Sequence, residues 1–350
     1  MSHRLADFYR GKRVMVTGHT GFQGGWAVAW LKLLGAQVCG YGLPPATRPN
    51  FFDATLLDRE MTSVFSDVRD RNSLAGAFAK FQPEIVLHCA LRSNPHFANR
   101  EPVETFSTNV MGTVHILEEA RLTPAVRAVV IVSSPSCDKN GASNCGSVCD
   151  ASMASVELAC SSFSSCFLDK SRAAVATARA IDAIGGGDWG EGRIIPNLVR
   201  SLTAGEPVQV LEGSELQVLH VVELVRAYLL LGQRLFESGQ GYSGQWDFLP
   251  AAERKFCATR IAKDFVKLWD GTESQSSLPE ATQEASPAFY GEDDRARAEL
   301  GWSDVLPPAT AIHWTAEWYR SFYTNASTAW YTTEEQTKAY MRYAIVGAVG

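Results

Sequence analysis

The sequence predicts an α/β fold of the Rossmann type: a doubly wound parallel sheet with a smaller C-terminal substrate-side region. Three observations carry that expectation. Short apolar runs alternate with helical patterns along the first half of the chain. Those runs are continuously apolar rather than alternating, as in strands covered by helices on both faces. A glycine-rich turn separates the first run from the first long helical pattern.

In order, "RVMVTG" (Arg13–Gly18) reads as a strand, and "HTGFQGGWAVAWLKLLG" as a turn and a helix ending at Gly35. "AQVCGYG" is the second strand, "SLAGAFAKFQPE" a helix and "IVLHCA" a buried strand. "NVMGTVHILEEARL" is the next helix and "AVVIVSS" (Ala128–Ser134) the next strand. A Ser/Cys/Asn/Gly-rich stretch follows, then a helix near Ala154–Phe163, the strand "AVATARA" and a second glycine-rich turn, "IGGGDWGEGR". The remainder mixes short strands and helices to about Tyr323. We expect a dinucleotide-binding domain over 1–185, a substrate-side region over 186–325 interleaved with it, and a tail over 326–350. That tail reads either as a helix with an apolar end suited to a homo-oligomer contact or as a partly ordered end.

Hydrophobic residues make up 46% and charged residues 20% of 350, enough for a sizeable core. A net charge of −6 opposes a nucleic-acid partner, because no basic balance exists to neutralise phosphates. No apolar run reaches membrane-spanning length, and "MSHRLADFYRGKR" lacks the apolar stretch of a secretory signal, so the expectation is a cytoplasmic protein without a membrane partner. The eight cysteines therefore read as reduced thiols. Cys137, Cys145, Cys149, Cys160 and Cys166 lie close together, but no C-x-x-C pair and no His accompanies them, so no metal site is expected.

Gly18-x-x-Gly21-x-x-Gly24 follows a strand and opens a helix. Glycines there permit a tight turn and let a pyrophosphate approach the backbone at the helix N-terminus. Thr20, Phe22 and Gln23 sit among them and are assigned to the same dinucleotide site. No acidic residue ends the second strand at "GYGLPP", so NAD and NADP both remain open, with NAD preferred.

Longer stretches carry a family resemblance: "VTGHTGFQGGW", "GYGLPP", "FQPEIVLHCA", "REPVETFSTNVMGTVHILE", "VATARA", "IGGGDWGEGRIIPNLVRSLTAGEP" and "RAELGW", in order from about residue 12 to 320. The chain resembles the extended short-chain dehydrogenase/reductases of the NAD-dependent epimerase/dehydratase family, and within them the CDP-glucose 4,6-dehydratase group. The resemblance implies that Asp67 and Val68 lie at the adenine, and that Ala90, Asn109 and Ser133 line the nicotinamide side. It also implies a borrowed hydride: the sugar C4 hydroxyl is oxidised, water leaves across C5 and C6, and the hydride returns at C6. The family draws the base for this from a Tyr whose phenol is acidified by a Lys four residues on.

The resemblance breaks at that base. Counting back from "VEL", the Tyr position falls on Cys149 and the Lys position on Met153, and Val148–Lys170 contains no Tyr. The family's Thr-Asp-Lys falls on Ser134, Pro135 and Ser136, so only the Ser134 hydroxyl stays. Its Gly-Asn becomes Ile181-Asp182, and its phosphate-binding Arg becomes Leu216 in "LQVLH", with His220 matched. A lost cation and a gained anion both oppose an ordinary nucleotide diphosphate sugar as the small-molecule substrate.

Cys149, with Lys139 as the nearest cation, is a candidate base or nucleophile, or else a small filler where the Tyr was lost. His88 and His96 are further candidates near the cofactor, or structural residues. Three readings follow. One is a diverged biosynthetic enzyme with altered substrate and mechanism. The second is a catalytically inactive cofactor-binding protein acting as partner or sensor. The third is covalent chemistry through Cys149 with the dinucleotide as a structural element.

Overall fold

The structure is a computed structural model that describes residues 2–135, 147–168, 172–208, 215–216, 218–251, 256–270 and 295–346. Helix α1 (Ser2–Tyr9) leads into β1 (Arg13–Thr17), α2 (Phe22–Leu33) and β2 (Gln37–Gly42). Next come the short α3 (Phe51–Ala54), β3 (Thr62–Phe65), α4 (Arg71–Phe81) and β4 (Ile85–His88). Helices α5 (Pro95–Arg100) and α6 (Pro102–Phe106) precede a π-helical turn at Ser107–Met111 and α7 (Gly112–Leu122). Strand β5 (Ala128–Ser133), α8 (Val148–Phe163) and β6 (Ala174–Ala180) complete the first half.

β1 to β6 are parallel and lie in the order β6-β5-β4-β1-β2-β3, with register pairs Val14↔Val38, Val14↔Ile85, Ile85↔Ala128 and Ala128↔Ala174. The chain reverses its direction of strand addition between β1 and β4, which opens a crevice at their C-terminal ends. β4 and β5 are buried at every position, which explains their unbroken apolar sequence. One face of the sheet is covered by a large core including Trp26, Trp30 and Tyr228, and the other by a core including Leu74, Phe78, Ile116 and Val156.

The second half contributes β7 (Asp182–Ile184), α9 (Ile194–Ala204), β8 (Glu215–Leu216), β9 (Val218–His220) and α10 (Val221–Ser238). It continues with β10 (Gly244–Phe248), β11 (Phe256–Cys257), α11 (Ala258–Asp270), α12 (Arg295–Ala298), α13 (Pro308–Thr324) and α14 (Ala329–Val346). β10 adds to the main sheet beside β6, with Gly244↔Ala176, so both halves share one seven-stranded sheet. β7 pairs with β9, and β8 with β11.

Two elements, α8 and β3, differ most from the sequence reading. Helix α8 starts at Val148 rather than near Ala154, because the Ser147 side chain caps it by accepting from Asp150 N. The edge strand β3 had no counterpart in that reading; its "TSVF" is short and half-exposed, which leaves little apolar pattern to read.

Candidate active site

The β1–α2 turn is built so that side chains cannot fill it. Gly18 has φ +69°, and a Cβ there would lie 2.7 Å from Cys89 O; a Cβ on Gly24 would lie 2.2 Å from Gly18 O. Gly21 is less crowded, its nearest neighbour being Gly18 O at 3.3 Å. Gly21 also supplies the N-cap of α2 without a capping side chain, so the positive end of that helix is left to a ligand. Thr20 Oγ1 donates to Leu43 O at 2.8 Å and ties the turn to the exit of β2. Phe22 reaches toward Gly185, and Gln23 Oε1 accepts from the Tyr228 hydroxyl at 2.7 Å. Both residues thus also join the turn to the second half of the chain.

Asp67 follows β3 and is a carboxylate clamped by Arg69, whose Nε and Nη2 donate to it at 3.0 and 2.7 Å. That guanidinium holds the Asp67 carboxyl below its usual range. Val68 is buried and packs where a Cβ on Gly112 would collide with it. Ala90 N donates to Thr17 Oγ1 at 3.3 Å, at the mouth of the crevice between β1 and β4.

Asn109 lies in the π-helical turn, wholly buried, and spends its amide on three partners. Its Oδ1 accepts from Arg92 N at 2.7 Å, and its Nδ2 donates to Arg92 O at 3.0 Å and to Ser152 Oγ at 2.9 Å. Ser152 Oγ in turn donates to Cys149 O at 2.7 Å. The loop after β4 is thereby fixed to the first turns of α8. His88 is enclosed between Thr17 Oγ1 at 2.6 Å and Thr113 Oγ1 at 3.2 Å, and burial pushes its pKa down to about 3. It is a neutral structural bridge between β1 and α7. His96 falls on α5, and its side chain lies outside what the structure describes.

Ser133 ends β5 and donates its hydroxyl to Glu157 Oε1 at 3.2 Å. Glu157 also takes two bonds from Arg179, at 2.6 and 2.5 Å, and one from Gln245 at 2.9 Å, while Arg179 faces Asp247 at 3.6 Å. This largely buried set links α8, β6 and β10, and nothing local in the sequence signals it. Ser134 is half-buried one residue past β5. Lys139, with Ser136, lies outside the described residues.

Cys149 sits in the first turn of α8, 4% exposed, in a small apolar cluster with Met153 and Ala98. Its Sγ lies 3.7 Å from Arg92 O. A helix N-terminus ordinarily lowers a thiol pKa. Here burial, with Asp150 and Asp182 adding to it, pushes the Cys149 thiol up to about 11. Cys39, Cys89, Cys149, Cys160 and Cys166 are free thiols, and among the described residues no trio of His, Cys, Asp or Glu is disposed to hold a metal.

Asp182 stands beyond the end of β6, next to the buried Ile181. Its surface is open to solvent, yet crowding by protein raises its pKa, opposed by Arg193 and aided by Asp188. Solvent contact together with crowding is what the wall of a cleft imposes, and the water damps the shift. Arg193 donates to Asp188 at 2.8 Å and reaches Ser93 Oγ at 3.4 Å, and Asn94 donates to Glu191 O at 2.6 Å. The second glycine-rich turn is thus tied to the loop after β4.

His220 does not face this cleft. It caps α10 by accepting from Val222 N at 3.3 Å, lies between Trp26 and Trp314, and burial lowers its pKa to about 3. Leu216 lies in β8 opposite Phe256.

A parallel sheet with this strand order and a glycine-rich β1–α2 turn defines the Rossmann class. Residues 14–243 match the NAD dependent epimerase/dehydratase family. The chain is 33% identical over 334 residues to the CDP-glucose 4,6-dehydratase of Salmonella typhimurium strain LT2, covering 90% of this chain and 92% of that one. It is 29% identical over 253 residues to a dTDP-4-dehydro-6-deoxy-D-allose reductase of Streptomyces bikiniensis, covering 67% and 76%. Among solved structures, UDP-glucose 4-epimerase of Thermotoga maritima superposes with a TM-score of 0.74 at 18% identity, covering 89% of this chain and 99% of that one. The dTDP-glucose 4,6-dehydratase of Bacillus anthracis, solved with NAD, gives 0.71 at 16%, covering 89% and 97%. The chain belongs to the NAD dependent epimerase/dehydratase family. Among the described residues no helix is long and apolar enough to cross a membrane.

Proposed function

We propose that this protein binds NAD at the β1–α2 turn and acts as a diverged nucleotide-sugar dehydratase-like enzyme, with a substrate and acid–base groups that differ from those of its relatives. The observation that carries this reading is the contrast between two parts of one site. The cofactor-side frame is intact: the side-chain-free turn at Gly18, Gly21 and Gly24, the uncapped N-terminus of α2, and the Asn109 clamp. The first turns of α8 carry a buried thiol and a thioether, Cys149 and Met153, where the family resemblance calls for Tyr and Lys.

The turn fits the pyrophosphate of a dinucleotide, since a Cβ at Gly18 or Gly24 would collide with backbone and α2 presents its positive end there. Gly18, Gly21 and Gly24 would hold the phosphates, and Asp67 and Val68 would border the adenine. When bound, NAD supplies a hydride acceptor. Around it, Asn109 fixes the loop after β4 and α8 relative to each other. Ser133 is committed to Glu157, and Ser134 follows it one residue past β5. A thiol near pKa 11 holds its proton at neutral pH, which argues against Cys149 as a general base or nucleophile.

The second reading, a cofactor-binding protein without catalysis, draws on the same apolar cluster of Cys149, Met153 and Ala98. Calorimetric titration with NAD, followed by mass-spectrometric detection of product across neutral and charged sugar substrates, separates them. NAD binding with turnover supports the enzyme, NAD binding without any turnover supports the second reading, and no NAD binding overturns both.

A further inference from the structure

At the end of the sheet opposite the β1–α2 turn, Arg127, Arg172, Ala174, Gly239 and Gln240 line a concavity of about 390 Å³. β5 and β6 begin there, which puts it about 20 Å from their C-terminal ends at a rise of about 3.3 Å per residue. Sheet register assembles the pocket. Arg127 N donates to Glu84 O and Ala174 N donates to Arg127 O, which sets the start of β6 beside Arg127. Gln240 Nε2 donates to Leu168 O and to Ala173 O, each at 3.1 Å, and pins the turn after α10 against the entry to β6. A Cβ on Gly239 would meet nothing within 4 Å, so the pocket is open on that side.

Two guanidinium groups on this pocket meet no carboxylate among the described residues. Arg127 is held in place, since its Nη2 donates to Phe236 O at 2.8 Å and its Cζ lies 4.1 Å from the centroid of the Phe236 ring. That bond meets the C-terminal end of α10 and uses one of the five N–H donors of the fork. Arg172 is exposed, and among the described residues no hydrogen bond or ion pair reaches its side chain. The neighbouring acids are engaged elsewhere. Glu84, next to Arg127 across the sheet edge, lies 3.4 Å from Lys12 and 3.8 Å from Arg13. Glu237, next to Phe236, faces Arg234 at 3.9 Å and accepts from Gln233 at 2.8 Å. Positive charge is thus gathered at one edge of a chain whose net charge is −6.

We propose that this pocket takes a phosphate group, free or carried by a sugar-sized molecule, between Arg127 and Arg172. Planar guanidinium forks match phosphate oxygens in pairs, and a fork already stacked and bonded loses little freedom when it binds. The volume lies within the range of small-molecule sites, about 300–1,000 Å³, and leaves room for an organic part beside the phosphate. The pocket is separate from the β1–α2 turn, so the proposal goes beyond the functional reading and does not depend on it.

The test is calorimetry on the full chain, with and without excess NAD, using glucose 1-phosphate, inorganic phosphate and glucose as probes. Glucose 1-phosphate should fill one site whose affinity falls with added salt, while glucose gives no binding. Arg172→Gln should weaken that site about tenfold and leave Tm within about 1 °C, because the side chain supports no described contact. Arg127→Lys, which keeps the charge and loses the fork, should weaken it severalfold. Glucose 1-phosphate bound more tightly than inorganic phosphate assigns the pocket to a phosphorylated metabolite, and equal affinities assign it to the free ion. No saturable binding of either phosphate, glucose bound as tightly, or an affinity unchanged in Arg172→Gln would each overturn the proposal. An affinity that falls when NAD is added would place the anion at the glycine turn and overturn it too. A chain that binds no NAD would fail the functional reading alone, and Arg172→Gln would still decide this one.

Discussion

Replacing Asn109 by alanine takes a partner from each of two half-buried backbone groups, Arg92 N and Arg92 O. The amide accepts from Arg92 N at 2.7 Å, donates to Arg92 O at 3.0 Å and to Ser152 Oγ at 2.9 Å, and the residue is 0% exposed. A buried polar group left unsatisfied costs about 1–3 kcal/mol, so Arg92 N without a partner and Arg92 O with only the weak Cys149 thiol, while Ser152 keeps its bond to Cys149 O, bring the loss to about 3 kcal/mol. At about 2.1 cal/mol/K of unfolding entropy per residue, a chain of 350 residues loses about 4 °C of Tm for that change. Scanning calorimetry reads it directly. Ser152→Ala removes one of the shared bonds and should lower Tm by about 1–2 °C. The double variant should fall short of the sum, because both changes delete the same Nδ2–Oγ bond. A drop below about 1 °C for Asn109→Ala, or strict additivity, refutes the view that this amide clamps loop and helix together.

Other perturbations test the site at separate points. Gly24→Ala should weaken NAD binding about a hundredfold in calorimetric titration, and Gly21→Ala distinctly less, because the added Cβ meets Gly18 O at 2.2 Å in one case and 3.3 Å in the other; equal losses would contradict that geometry. Alkylation of Cys149 should rise with pH toward about 11 and at pH 8 run about a hundredfold slower than an ordinary thiol, judged by comparing wild type with Cys149→Ser. A half-rate near pH 8 would return Cys149 to the list of reagents. CDP-glucose should give no 4-keto-6-deoxy product above background, since loss of a general base alone removes about 10²–10⁴ in rate. Finally, burial raises the Glu223 carboxyl to about 7. The folded state therefore binds a proton that the unfolded state has released, and stability should fall as pH rises from the unfolded carboxyl range to about 7, then level off. Glu223→Gln should flatten that slope in urea unfolding, and an unchanged slope would count against it.

The sheet was legible because its strands are buried on both faces and read as unbroken apolar runs, as Val129–Val132 does. The glycine turn was legible for a related reason: only a backbone without Cβ fits between Gly18 and Cys89. What escaped was what depends on distant partners. Glu157 and Arg179 look like surface charges in the sequence, and only the meeting of α8 with β6 turns them into a buried pair. His220, matched by motif, is wedged between two indoles because α2 and α13 bring Trp26 and Trp314 against it. The early start of α8 is signalled locally: Ser147 and Asp150 stand three apart, the spacing of an N-terminal cap.

The chain of bonds from Asn109 through Ser152 ends on the carbonyl of Cys149, not on its sulfur. The strong bonds that anchor the first turn of α8 therefore end on main chain, and the side chains at 149 and 153 add a weak thiol contact with Arg92 O and packing on Ala98. The hydrogen-bonded scaffold and the side chains at the reagent positions are largely separate at this helix. A lineage can exchange the reacting groups there while the helix keeps its seat, and so retain a coenzyme-ready frame through a period in which its chemistry is changing or silent. For an engineer the same separation makes Cys149→Tyr with Met153→Lys a local edit, limited by the space beside Ala98 rather than by the stability of the fold.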